Sequence, residues 1–249
     1  MPVLHCSSSL VERSALHVLV CASTLALSLT ACAATPDPAK PYPHAQEPIG
    51  DVQAIYDGRL SEDLAVTTFR NTDRLFPTRT IKAGGHPFPL PRSSQPLGPV
   101  AFDYKGKHYS LDDYVAINRV TGLLVLKDGK IVDERYEKGN TADTRWMSMS
   151  VAKSITSTLV GAALQDGSIK SLDNKVTRYL PALADSGYDQ VTVRQILSMR
   201  SGIKWNEQYT DPTSDERHLI KLRSEQVPGS LLKFMASLPT AAPPGTRTN

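Results

Sequence analysis

Three serine–lysine pairs stand three residues apart in this chain: Ser150/Lys153, Ser201/Lys204 and Ser230/Lys233. On a helix such a pair lies on one face, one side chain above the other. A lysine that gives up its proton there, or shares it through a third group, can turn the serine hydroxyl into a nucleophile. Spacing alone does not separate this from a helix-capping serine beside a solvated lysine, so the setting of each pair decides. Ser201 runs straight into Gly202, which reads as a turn, and its lysine need not lie above it. Ser230 opens a helix after Pro228-Gly229, but no strand precedes it and Lys233 reads as surface charge. Ser150 opens a helix just after a hydrophobic hairpin, where unpaired N–H groups and the positive dipole end can face a developing oxyanion.

The elements that must position this pair are legible around it. Gly122-Leu123-Leu124-Val125-Leu126 is a continuous apolar run, as in a strand covered on both faces. Asp128-Gly129 is a favoured two-residue turn, and Ile131 to Tyr136 returns as the second strand. The helix from Ser150 carries Ile155, Leu159 and Ala163 along one face and runs to Gly167, a C′ residue. Upstream, Ser61 with Glu62 and Asp63 predicts a helix through about Leu75. Residues 82–99, with Gly84-Gly85 and five prolines, predict a surface loop or arm. Ser110 to Asp113 caps a short helix, and Thr192 with Gln195 forms a capping-box pair for another that ends before Gly202. Pro228-Gly229-Ser230 begins a last short helix. Strands first and helices after them predict an α+β fold, a sheet with helices segregated against it. A lone hairpin is marginal in water, so either helices cover both faces of these strands or further strands complete the sheet.

With 249 residues, 40% of them apolar, the chain can bury one sizeable core. A net charge of +3 is too small to argue for nucleic acid or an anionic membrane surface as partner. Ala15 to Ala34 contains no Asp, Glu, Lys or Arg, follows a weakly basic start with Arg13, and ends in small residues, as an export signal does. His17 and several Ser and Thr dilute a run already short for a spanning helix. Leu29-Thr30-Ala31-Cys32 looks like the lipobox of bacterial lipoproteins, which puts a lipid and the mature N-terminus on Cys32. Cleavage after Ala31-Cys32-Ala33 would instead release a soluble periplasmic protein. All three cysteines (Cys6, Cys21, Cys32) fall in this region, so the exported fold is predicted to need no disulfide. Five prolines within Pro36 to Pro48 read as an extended tether. The organisation expected is a signal over 1–31, a tether over 32–54, an N-terminal helix and arm over 55–99, and the main domain over 100–249.

Longer stretches than the pair carry a family likeness. They are Arg145 through Ser154, Asp173 through Pro181, Val191 through Leu197 with Ser201-Gly202-Ile203, and Trp205-Asn206-Glu207-Gln208-Tyr209-Thr210-Asp211-Pro212. In these residues the chain resembles the β-lactamase-related serine hydrolases, which include class C β-lactamases, penicillin-binding DD-peptidases and related esterases. The 6-aminohexanoate-dimer hydrolases are the nearest branch, and Phe69 to Pro77 also looks like that branch's N-terminal region. The resemblance implies a β-lactamase/transpeptidase-like fold, with this chain holding the N-terminal hairpin of the sheet and the helical region. It implies that Ser150 is the acylated nucleophile, that Lys153 helps take its proton, and that the main-chain N–H of Ser150 forms half an oxyanion hole. Tyr209 matches a tyrosine that lines the substrate pocket of the amide-hydrolysing branch; a tyrosine simply packed at a loop is its other reading. The implied substrate is a small-molecule amide or ester, a 6-aminohexanoate oligomer or carboxylic ester ahead of a β-lactam, with no cofactor and no metal.

Other chemistry finds less footing. Asp211 to Asp215 lacks the later Glu of a calcium loop. No G-x-S-x-G occurs, and the six histidines have no motif context for a Ser-His-Asp hydrolase. In the resembled family a segment like Pro244-Gly245-Thr246 leads into Tyr-x-Asn, whose tyrosine is the partner base, and a Lys-Thr-Gly or His-x-Gly strand follows. Neither occurs before Asn249. The expectation is a chain that lacks the C-terminal sheet strands and whose turnover is impaired. Its alternative is a non-catalytic lipoprotein of the cell envelope, held to the membrane only through a lipid on Cys32.

Overall fold

The computed structural model describes residues 41–82 and 84–248. The signal and Cys32 lie outside the described residues. Helix α1 (Val52–Tyr56) is capped by Asp51, whose carboxylate accepts the Ala54 N–H. Helix α2 (Glu62–Phe69) starts where Ser61 accepts the Leu64 N–H, with Glu62 and Asp63 in its first turn. It was expected to reach Leu75 but stops at Arg70. Thr67 and Thr68 turn their hydroxyls onto the Leu64 carbonyl, and the Asn71 amide donates to the Thr67 carbonyl. These local bonds compete with helix propagation, and only a 3-10 turn, Thr72–Arg74, continues beyond Asn71.

The proline-rich stretch before α1 is not free of the domain over its second half. The Tyr42 hydroxyl donates to the Arg70 carbonyl, and the Thr67 hydroxyl donates to the Pro48 carbonyl. Residues 41–48 are therefore docked on α2.

Strands β1 (Ala101–Tyr104) and β2 (Lys107–Ser110) form a hairpin that sequence reading overlooked. Its turn places both Lys105 and Gly106 at positive φ, the conformation that matches the twist of the flanking strands. Ser110 and Asp113 then close the capping box of α3 (Leu111–Ile117). Strands β3 (Gly122–Lys127) and β4 (Lys130–Tyr136) pair antiparallel through the Asp128-Gly129 turn, with a register shift between Val125 and Leu126. The arm joins this second sheet's edge, since Ile131 donates to the Pro91 carbonyl while Ser93 and Leu97 donate to the carbonyls of Ile131 and Val132.

The architecture is α+β, with two separate two-stranded sheets among the described residues. The apolar run of β3 is not covered on both faces: Leu124 is 50% exposed and Leu126 46%. The core sits elsewhere. Val176, Leu183, Tyr188, Val191, Val193, Ile203 and Leu238 pack together, flanked by Leu172, Trp205, Leu232 and Met235. Helix α4 (Val151–Gln165) reaches this cluster through Val160, but Ile155 and Leu159 of its apolar stripe are exposed. Helix α5 (Val193–Leu197) has the expected Thr192/Gln195 capping box, and α7 (Ser230–Ser237) follows Gly229. Helix α6 (Asp215–Glu225) went unread, although Ser214 caps it and Asp215 and Glu216 fill its first turn. Among the described residues no helix is long and apolar enough to cross a membrane.

One glycine closes the core. Gly202 has φ +77°, its carbonyl accepts from Ala241 and Ala242, and a Cβ there would come 2.2 Å from the Ala242 oxygen. Gly202→Ala combines backbone strain with a main-chain clash, and we expect it to lower stability by about 2 kcal/mol or more. Gly98→Ala, which meets no heavy atom within 4 Å, should stay within about 0.5 kcal/mol of the parent. Urea unfolding of the two variants checks both values.

Candidate active site

Five helix caps show what Ser150 does differently. Asp51, Ser61, Ser110, Thr192 and Ser214 all have ψ between 154° and 171°, and each side chain accepts the N–H three residues on. Extended backbone at the cap aims the side-chain oxygen at that N–H. Ser150 has φ −67° and ψ −8°, a helical conformation, and its side chain caps nothing. Met149 before it sits at φ 45°, and Val151, Ala152 and Lys153 donate to the carbonyls of Ser148, Met149 and Ser150 in a tight i to i+3 start. The hydroxyl is thereby turned from the helix end toward Lys153, whose Nζ donates to Oγ at 2.9 Å. Ser150 is therefore not a capping serine, although both it and Lys153 are exposed to solvent. The Ser150 main-chain N–H makes no hydrogen bond among the described residues.

The other two pairs differ. Ser201 is buried and its hydroxyl accepts the Ile203 N–H. Ser230 lies in the first turn of α7 with its hydroxyl oxygen buried and unpartnered, and Lys233 is exposed. No lysine nitrogen bonds the Ser230 hydroxyl, which has no partner among the described residues.

Ser150 and Lys153 open onto a cleft of about 1320 Å³, whose lining includes Tyr56, Met149, Trp205, Glu207, Tyr209, Glu216 and Arg223. Tyr209 therefore lines the same cleft as the pair. Its ring stacks on Tyr56 at 5.7 Å between centroids, and its hydroxyl donates to Glu207 Oε1 at 2.8 Å. That bond, then burial and the charges of Glu207 and Glu216, push the Tyr209 phenol up to about 12. The phenol thus stays protonated at neutral pH, as a donor rather than a base.

Glu207 stood in the matched motif without a role, and Glu216 and Tyr56 were not singled out. Burial raises the Glu216 carboxyl above its ordinary range; Arg223 and Lys153 pull it down while Glu207 pushes it up. The acidic first turn of the unread α6 was the signal that could have found it. The Asp211 to Asp215 loop is explained by the protein's own donors. Asp215 accepts the Asn206 N–H, and Asp211 accepts from Thr213 and the Asn206 amide. These bonds hold the turn that presents Glu207 and Tyr209.

The chain has clear relatives. Residues 111–249 match the family described as Beta-lactamase. Over 93 residues the chain is 42% identical to the 6-aminohexanoate-dimer hydrolase of Paenarthrobacter ureafaciens, a match covering 37% of this chain and 24% of that protein. A solved structure, "Putative 6-aminohexanoate-dimer hydrolase from Bacillus anthracis", superposes with a TM-score of 0.54 at 20% identity, over 65% of this chain and 44% of that one. At that identity the second likeness is one of fold. Each match spans less than half of the relative's length.

The Tyr209–Glu207 contact has a measurable consequence. In Glu207→Gln the carboxylate that favours the neutral phenol is gone, so Tyr209 should ionise at lower pH, shifting from about 12 toward the ordinary tyrosine range. Tyrosinate absorbance titrations, each read as the difference between a protein and its Tyr209→Phe partner, isolate this group. An unmoved titration would rule out Glu207 as the cause.

Proposed function

The chain belongs to the beta-lactamase family, and on that premise we propose that it is a serine hydrolase acting on amide or ester bonds through an acyl intermediate on Ser150. The observation that carries this reading is the 2.9 Å contact between Lys153 Nζ and a Ser150 Oγ that caps no helix. With its amine neutral, Lys153 accepts the hydroxyl proton as Oγ bonds to the substrate carbonyl carbon. The carbonyl oxygen becomes an oxyanion beside the Ser150 N–H. Collapse expels the amine or alcohol, which takes the proton from Lys153, and water then releases the acid from Ser150. Tyr209, a protonated phenol in the same cleft, can donate to the scissile group. Among substrates we favour linear amides of the 6-aminohexanoate kind, because the relative that is 42% identical over 93 residues carries that name.

An activated reagent asks only for a nucleophile and its base. A fluorophosphonate probe should label the chain at Ser150, with the modified peptide identified by mass spectrometry. Ser150→Ala should abolish labelling, and Lys153→Met should slow it by about 10²-fold or more. Labelling that survives Ser150→Ala would sink the proposal.

We further propose that the chain is exported and lipid-anchored at Cys32 in a bacterial envelope, supported by Leu29-Thr30-Ala31-Cys32 at the end of an uncharged apolar run. Expressed from its natural N-terminus, the parent should incorporate labelled palmitate and partition with membranes. Cys32→Ala should lose both; if it keeps them, the anchor lies elsewhere.

A further inference from the structure

The loop that enters the Ser150 turn is pinned to the segment upstream of the region that matches the family. Arg70, 6% exposed, closes α2 and makes four bonds with its guanidinium. Nε and Nη2 grip Glu47 in a fork at 2.7 and 2.6 Å, while Nη1 donates to the Lys138 carbonyl at 2.9 Å and Asn140 Oδ1 at 3.0 Å. The Glu47 carboxylate also meets His44 Nδ1. One buried cation thus ties residues 41–48 to the loop that follows β4.

The same helix end holds the next residues of that loop. The Met147 N–H donates to the Phe69 carbonyl at 2.8 Å, and the Trp146 ring stands edge-on to Phe69 at 5.8 Å. Arg145 bonds Asp73 at 2.7 Å and lies 3.7 Å over the Tyr42 ring, whose hydroxyl returns to the Arg70 carbonyl. Residues 145–147 are therefore fixed on several sides. Two residues later Met149 adopts its left-handed conformation, and Ser150 follows. A non-glycine residue holds such a conformation only where its surroundings over-determine it. Beyond this point α4 offers little support, because none of its residues is buried.

We propose that residues 41–48, clamped through Glu47 and Arg70, are a brace that sets the Ser150 turn, with Glu47 and Arg70 as positioning residues. The catalytic consequence rests on the reading of Ser150 as nucleophile; the geometric claim does not. Without the fork, residues 138–147 lose the anchor that opposes relaxation of Met149, and Oγ drifts from Nζ. Lysine at position 70 keeps the charge but cannot reproduce the fork.

The test uses the full chain and reads two quantities at a temperature well below melting: hydrogen exchange of the peptide spanning 145–149, and the rate of fluorophosphonate labelling. In Glu47→Gln and Arg70→Lys, exchange at Met147 should rise at least about tenfold and labelling fall by a similar factor, while core amides of 188–203 stay protected. Val191→Ala, a core truncation, should lower the melting point yet leave exchange at 145–149 unchanged. Should the Glu47 and Arg70 variants fail to fold, Asp73→Asn releases Arg145 from the surface and should give the same local signature. Unchanged exchange at 145–149, or exchange that rises equally in the core, overturns the brace. If the parent is not labelled at all, the hydrolase reading fails, and the exchange data alone decide the brace.

Discussion

The backbone conformation of Ser150 decides where its hydroxyl points. A serine at the start of a helix ordinarily holds extended dihedrals, and its hydroxyl then satisfies one of the first free N–H groups. Ser150 has ψ −8° instead, and its hydroxyl faces Lys153 at 2.9 Å. The two uses exclude each other, because one oxygen cannot point at the helix end and at the neighbouring turn at once. Met149 at φ 45° delivers the chain into this conformation. The helix start gives up a side-chain cap, and the hydroxyl is left facing the lysine.

The cleft is built from two kinds of wall. On one side α4 presents the pair from a helix without buried residues. On the other, Glu207, Tyr209 and Glu216 stand on a segment fixed by the Asn206–Asp211–Asp215 bonds and by Trp205 against the core. Rigid groups therefore face a pair whose placement depends on the turn that precedes it. Charge follows the same division: Glu207 pushes the Tyr209 phenol up, and burial raises Glu216 against the pull of Arg223 and Lys153.

Much of the local structure was legible because it is encoded over a few residues. The Ser61 and Ser110 caps, the Thr192/Gln195 box and the Asp128-Gly129 turn are satisfied by groups within three or four positions. The end of α2 was misjudged because Thr67, Thr68 and Asn71 divert carbonyls within the helix, an effect that apolar periodicity does not register. The β1–β2 hairpin was missed because Lys105 occupies a left-handed turn position where Asn or Asp gives the usual signal. Covering of β3 was inferred from its apolar run, but a run reports only what a strand could bury. In this chain Leu124 and Leu126 remain half-exposed.

For the site, the sequence by itself determined the candidates: a serine and lysine one helical turn apart, a hairpin before them, and a tyrosine in a matched motif. Residue type and short spacing suffice for that, since i and i+3 meet on any helix. The setting after the hairpin and the family likeness already singled out Ser150 among three such pairs. Only the tertiary structure added the dihedrals at Met149 and Ser150 that turn the serine hydroxyl onto Lys153, which no side-chain pattern reveals. It also brought Tyr209 and Glu216 to the cleft, and set Glu47 on Arg70 across a sequence separation of 23. Those contacts join segments far apart in the chain, so they exist only once packing has closed the loops between them.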